Sequence, residues 1–345
     1  MRGDWIFRGK RFSFLVGKRT AMVTFGLFAA AIVLVILCTG IGSTFITPVD
    51  VVKTLFGAGS DMHDTIIRSL RLPRIVIAVL VGAALAVSGA ILQGVVRNSL
   101  ASPDIIGITN GATLGAVAFF FYLTDKASIA WLPVSAMAGA FGAAFLVYTL
   151  AWKKGVSPLR LVLIGIGLSA AMSSLSYMML ITGPIVIANK ALTFMTGSIY
   201  GVSWEKDVYP LLPWMLVLLP LVFFYARHLN IQELGDDVAS GAGSAVQRHR
   251  LTLIALSVAL AGAAVAIGGA ISFIGLLAPH MARKLVGPSF GGVLPVSALL
   301  GAMILLLADL AGRTLFVPLD IPAGVFTAAI GAPFFVYLLY RSRTR

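Results

Sequence analysis

The sequence predicts an all-α polytopic membrane protein of about ten transmembrane helices, built as an inverted internal repeat. Three observations predict it. Hydrophobic residues fill 59% of the 345 positions and charged residues only 11%, with a mean hydropathy of +0.98. A water-soluble domain carries about 25% charged residues, so this chain cannot cover itself with a water-compatible surface. Uncharged runs then recur at the roughly 20-residue length that a hydrocarbon core of about 30 Å requires of a helix. Finally, short motifs of the first half return in the same order in the second.

Residues 1–20 read as a cytoplasmic tail, with Arg2, Arg8, Lys10, Arg11, Lys18 and Arg19 against Asp4. The run 21–41 is longer than the roughly 7–15 residues of a signal-peptide core, and no small-x-small cleavage site is evident. Leu37, before Cys38, is not the small residue that a lipoprotein signal needs. The run is therefore a retained first span with its N-terminus in the cytoplasm. A single cysteine, Cys38, excludes an intrachain disulfide. The run 75–94 follows Arg71 and Arg74. Its small residues Gly82, Ala86, Gly89 and Ala90 suit a helix inside a bundle, because membrane helices associate through close backbone approach. The polar break 98–104 ends it. Further runs lie at 105–123, 131–151, 160–181, 208–226, 251–268, 271–285, 293–312 and 322–340. The run 271–285 is interrupted by Pro279 and His280. The membrane domain thus covers 21–340, with a charged inside loop at about 227–250 and a cytoplasmic tail at 341–345.

With the N-terminus inside and every run crossing, Lys and Arg favour the cytoplasmic segments by about two to one, as the positive-inside rule expects. The net charge of +13 is explained by topology, which removes nucleic acid as a partner. The outside cluster Arg68, Arg71 and Arg74 runs against that rule. Either Asp61 and Asp64 neutralise it, or its guanidinium forks face a partner bearing carboxylates.

The repeat aligns 82–91 with 262–271, 133–136 with 295–298, and Pro158-Leu159 with Pro318-Leu319. The offset is five spans, an odd number, so the copies cross in opposite directions. Inverted repeats of this kind belong to transport proteins that open alternately to the two sides.

Catalytic chemistry is not evident. His63, His228, His249 and His280 lack metal-ligand spacing, and His280 reads as a helix-end or interfacial histidine. The stretch Gly17-Lys18-Arg19-Thr20 lacks the preceding glycine and following hydroxyl of a phosphate-binding loop. Among acids, only Asp309 lies well inside a span, with Arg313 as an i,i+4 partner. Ion-coupled carriers need buried ionisable groups along their path. This poverty of charge points to energy arriving from another subunit, through the loop 227–248. There Leu234, Val238 and Ala242 recur at helical spacing, Asp236 and Asp237 open a short helix, and Gly243 closes it.

Several motifs together resemble one family. They are Leu70-Arg71-Leu72-Pro73-Arg74, Gly89-Ala-Ile-Leu-Gln93, Asn98-Ser-Leu-Ala-Ser-Pro103, Ile106-Gly107 with Asn110-Gly111-Ala112, and Leu234-Gly-Asp-Asp-Val-Ala239. Beyond these come Ile271 through His280 with Arg283, Ala308-Asp309 with Arg313, and Pro322-Ala-Gly-Val325 with Gly331-Ala-Pro333. From about 21 to 340 the chain resembles the permease subunit of ATP-binding-cassette importers for iron-siderophores, haem and cobalamin.

The resemblance implies a ten-helix protomer paired with a second permease, identical or homologous. It implies two cytoplasmic ATPases that bind ATP–Mg, and an extracytoplasmic substrate-binding protein. The chain itself would be no enzyme and hold no cofactor or metal. At matching positions, Arg71, Arg74 and Arg313 would dock the binding protein. Leu234, Gly235, Asp236, Asp237, Ala239 and Gly243 would couple to the ATPases. Gly155, Val156 and Ser157 would lie near a cytoplasmic gate. Gln93, Asn98, Pro103, Asn110, Pro279 and His280 would belong to the pathway and its supporting motifs. Ala242 departs from the leucine that the family often has. The cargo implied first is an iron(III)-siderophore, and second cobalamin or haem. An ion-coupled secondary transporter is the alternative of a different class.

Overall fold

The computed structural model describes residues 4–8, 13–42, 44–153 and 155–342. Arg2, Lys10 and Arg11 of the N-terminal tail, and Lys154, Arg343 and Arg345 of the other segments expected inside, lie outside the described residues. Two short antiparallel strands, β1 (Asp4–Arg8) and β2 (Ser13–Gly17), stand where the sequence suggests only a tail. The helices follow: α1 (Lys18–Gly40), α2 (Pro48–Leu55), α3 (Asp61–Asp64), and a π-helical stretch Thr65–Arg71 that runs into α4 (Leu72–Val96). Next come α5 (Pro103–Ile106), α6 (Ile108–Tyr122), α7 (Leu132–Ala151), α8 (Pro158–Thr182), α9 (Ile185–Thr196) and α10 (Tyr209–Glu233). The rest are α11 (Asp236–Gly241), α12 (Val246–Gly268), α13 (Ile274–Val286), α14 (Phe290–Thr314) and α15 (Ala323–Ser342).

By length and composition, eight helical segments among the described residues can cross a membrane. Two of the ten expected runs form shorter helices, each for a local reason. The run 105–123 is cut at Gly107, whose φ of +91° is a left-handed conformation that separates α5 from α6. The 15 residues of α6 then reach only about 22 Å. The run 271–285 begins late, because Phe273 takes a left-handed φ of +67° just before α13. At 13 residues α13 covers about 20 Å, well short of a hydrocarbon core. One apolar helix, α9, was not expected. It packs Ala191 and Phe194 against Val117 and Phe120 of α6.

The bundle is built around α4. Nearly every residue from Ile75 to Val96 is buried, whereas in α1 only Cys38, Thr39 and Gly40 are. Glycines bring backbones into contact on two sides of α4. A Cβ at Gly82 would strike the Gly301 backbone of α14, and one at Gly89 would strike Gly275 of α13. A third side meets α12, where Ser88 and Ser257 exchange hydrogen bonds. Their hydroxyls lie 2.7 Å apart, and each reaches the other's carbonyl, at 2.9 and 3.1 Å. Small residues and a reciprocal polar pair supply the packing that lipid does not drive. Because α4 runs through the centre, its two ends carry their arginines to opposite ends of the bundle.

Candidate functional site

At one end, Arg71 and Arg74 sit where the π-helical stretch enters α4, beside the last turn of α14. Arg71 is buried and turned inward. Its Nη1 donates to the carbonyls of Thr39 and Gly40 at 2.8 and 3.0 Å, and its Nη2 to the carbonyl and hydroxyl of Thr44. A cation thus satisfies the carbonyls at the C-terminus of α1, where the helix dipole favours it. Arg313 also turns inward, donating to the carbonyl of Cys38 and lying 3.6 Å from Asp309. The expected i,i+4 pair is present, yet the closer partner of Asp309 is Arg74.

Arg74 is shared between two acids. Its Nε donates to Asp309 at 2.7 Å, and its fork grips Asp320 with bonds of 2.6 and 2.8 Å. The Asp309 side chain is 2% exposed and that of Asp320 24%. The Tyr200 ring lies 5.7 Å from the guanidinium carbon. Above these groups opens a cavity of about 750 Å³ whose lining includes Arg71, Arg74, Arg313, Tyr200, Leu319 and Asp320. The three arginines expected to receive a partner's acids are therefore brought together, but all three are engaged within the chain. Arg68 is the more exposed one. It pairs with Asp64 at 2.8 Å and donates to the Thr54 carbonyl, which is the local neutralisation considered from sequence.

The opposite end is built on α11. Gly235, at φ +106°, turns the chain out of α10, and Asp236 and Asp237 occupy the first turn of α11, where negative charge meets the positive helix end. Gly243, at φ +78°, turns the chain back toward α12. Leu234 and Val238 project as exposed apolar side chains while Ala239 is buried beneath them. Asp237 makes no part of the brace. Asp236 does: it accepts from Arg97 at 2.5 Å and from Arg250 at 2.8 and 3.0 Å. Arg97 follows the last turn of α4, and Arg250 stands in the first turns of α12.

Arg250 was not singled out from sequence. It is completely buried, and its Nη1 donates to the carbonyl of Val156 at 2.6 Å. The Val156 amide in turn donates to Gln247 at 3.3 Å, and Arg160 reaches the Gly155 carbonyl. Gly155 takes φ +116°, and Ser157 precedes α8. The short loop 155–157 is thus joined to α11 through a single arginine. A basic residue in the second turn of an apolar helix, 14 positions after an acid, was the available signal; only the fold shows that they meet.

The remaining singled-out residues do not converge on one site. Gln93 accepts from Arg283, and its amide reaches the carbonyls of Gly275 and Leu276 at 3.4 and 3.5 Å. Asn98 caps the turn after α4 by accepting from Leu100 at 2.9 Å. Pro103 begins α5 and packs on Gly275. Asn110 accepts from Ser173 of α8 at 3.2 Å. Pro279 lies inside α13, and His280 meets the Phe334 ring edge-on. A residue missed from sequence, Asp104, accepts from the Phe273 amide at 3.3 Å and lines a cavity of about 460 Å³ with Ser102, Ser169 and Ser272. Among the described residues no group of three metal-ligating side chains exists.

Comparison with known proteins gives one consistent result. Residues 30–341 match the family described as the FecCD transport family. The chain is 49% identical to the probable siderophore transport system permease protein YfhA of Bacillus subtilis, over 96% of this chain and 98% of that one. It is 45% identical to the achromobactin transport system permease protein CbrC of Dickeya dadantii, over 98% and 97%. A solved structure described as an inward-facing metal-chelate type ABC transporter superposes with a TM-score of 0.81 at 32% identity, covering 93% of this chain and 99% of that one.

Proposed function

The chain belongs to the FecCD transport family and is a multi-pass permease subunit of an ATP-binding-cassette importer, not itself an enzyme; from that premise we propose that its cargo is an iron(III)-siderophore. The observation that carries the cargo is the near-complete overlap with a relative described as a siderophore transport system permease. On this reading ATP–Mg is bound and hydrolysed by two separate ATPase subunits. A second permease, identical or homologous, completes the pathway. Both termini lie in the cytoplasm, following the distribution of basic residues. The Arg74 end then faces outward and receives an extracytoplasmic binding protein, while the Asp236 end faces the ATPases. The inverted repeat would let the two halves rock around a site near the bilayer middle.

The Asp236 brace supports a mechanical role for α11. Leu234 and Val238 offer an apolar knob to a groove on the ATPase. When ATP draws the ATPases together, α11 moves, and a bonded chain from Asp236 through Arg250 to Val156 carries that motion to the loop before α8. Arg97 ties the same carboxylate to the end of α4. The element being moved thus has two rigid attachments, one to the core helix and one to the gate.

The test is uptake of labelled ferric siderophores, haem and cobalamin in a strain lacking this gene. Loss confined to a ferric siderophore is expected, and loss of cobalamin or haem uptake instead would replace the cargo. Reconstituted alone in vesicles, the chain should accumulate nothing under any ion gradient. Uphill transport by the lone chain would favour an ion-coupled carrier and overturn the reading.

A further inference from the structure

An arginine can take a partner's carboxylate in bidentate fashion only if its fork is free. The fork of Arg74 is not free, because Asp320 holds both terminal nitrogens. The two acids on Arg74 differ in how they are held. Asp309 belongs to α14, is almost fully buried, and is also approached by Arg313. Asp320 belongs to the segment 315–322 between α14 and α15, outside either helix; its side chain accepts two hydrogen bonds, both from Arg74, and its charge also acts on the nearby Arg313. On that segment Leu315, Phe316, Val317 and Leu319 are all exposed by more than half.

We propose that Asp320 is a displaceable stand-in for a carboxylate of the docking binding protein. It occupies the Arg74 fork until a partner's acid replaces it, while Asp309 keeps the guanidinium in place throughout. The inference rests on the docking reading given above. Its physical logic is an exchange of like for like. The resting chain avoids leaving the two terminal nitrogens of Arg74 without an acceptor, and the incoming acid inherits a fork already placed at a cavity of about 750 Å³. The cost of displacing Asp320 appears as a reduced affinity, because only molecules with an open fork can bind. The exposed apolar side chains around it provide the hydrophobic surround that a docked, desolvated ion pair needs.

The experiment titrates the purified extracytoplasmic binding protein of this transporter against the complete transporter in lipid nanodiscs. Asp320→Asn keeps the shape but withdraws the competing charge. Docking should tighten roughly tenfold if the fork is open in about a tenth of wild-type molecules. Unchanged or weaker docking of Asp320→Asn overturns the inference. Arg74→Gln separates the two ideas. If it abolishes docking while Asp320→Asn has no effect, the stand-in is wrong and the docking reading holds; if it docks as wild type, the docking reading itself fails. A spin label on Leu319→Cys gives a measurement that does not depend on the Asp320 variant folding. The label should shift when the binding protein is added, and an unmoved label overturns the proposal.

Discussion

The two ends of the bundle use the same chemistry in opposite arrangement. At one end a single arginine, Arg74, is held between two aspartates; at the other a single aspartate, Asp236, is held between two arginines. Burial is also inverted. In the first network the most buried member is an acid, Asp309, and in the second it is a base, Arg250. A dry acid beneath Arg74 leaves a cationic fork pointing outward, whose outer partner can be exchanged. A dry base beneath Asp236 leaves an anchored acid at the start of a short helix, which passes force inward without exchanging anything. On the proposed reading, one end recognises a partner and the other is pushed by one.

The comparison is tested most severely at the two arginines of Asp236. Arg250→Ala should lower ATP-driven uptake tenfold or more with ATPase co-purification unchanged. It deprives the Val156 carbonyl and Asp236 of a charged donor, and such bonds contribute about 1.5–3 kcal/mol each. Arg97→Ala removes a pair that is about a third exposed and should lower uptake by less than threefold. Equal effects would mean that the link to Val156 carries no motion.

Next in size is a contrast of stability across the ends. Asp309→Asn should lower the melting temperature of the purified permease more than Asp236→Asn. Both carboxylates face two arginines, but the first is 2% exposed, while the second is 39% exposed and screened by water. Removing one partner from a buried pair costs about 3–5 kcal/mol, and the amide that remains recovers part of this through a hydrogen bond. Thermal unfolding of both variants in one detergent decides the order. Arg71 belongs on the stability side of this contrast too, because its donors go to the carbonyls of α1 rather than outward.

A smaller effect separates what holds each partner. If the Arg74 end docks the binding protein through charge, as proposed, its association rate should fall as salt is raised toward physiological strength, where the screening length is about 8 Å. Binding of the ATPases through the exposed Leu234 and Val238, on the same reading, rests on apolar contact and should change little. Parallel salt titrations check this, and a steeper salt dependence at the ATPase surface would reverse the assignment.

Composition and run length revealed the membrane class, and the motif residues revealed the family, because both are properties of local sequence. Helix breaks were less legible. The left-handed turns at Gly107 and Phe273 shorten two expected spans, yet hydropathy does not register backbone angles. The short helix at Asp236 could be read from its two acids and flanking glycines. Its brace could not, since Arg97, Val156 and Arg250 come from three segments that only the packing around α4 brings together. The outside arginines were visible as a charge anomaly, but the partners of Arg74, Asp309 and Asp320, lie more than two hundred positions away.

The smallest expected effect concerns the arginine that looks most available for docking. Arg68 is the exposed member of the outside cluster, with a side chain 44% exposed against 49% for its partner Asp64. A pair so open to water contributes about 0–1 kcal/mol, because screening and side-chain entropy offset the attraction. Asp64→Ala should therefore leave the melting temperature almost unchanged. It also leaves the bond from Arg68 to the Thr54 carbonyl, at 2.8 Å, to hold the guanidinium. If docking depended on net positive charge alone, removing Asp64 would raise that charge and strengthen binding as much as removing Asp320. If it depends on an aimed fork, Asp64→Ala should have little effect where Asp320→Asn has a large one. Binding-protein titrations on the two variants, each losing one acid from the same end, distinguish charge from geometry.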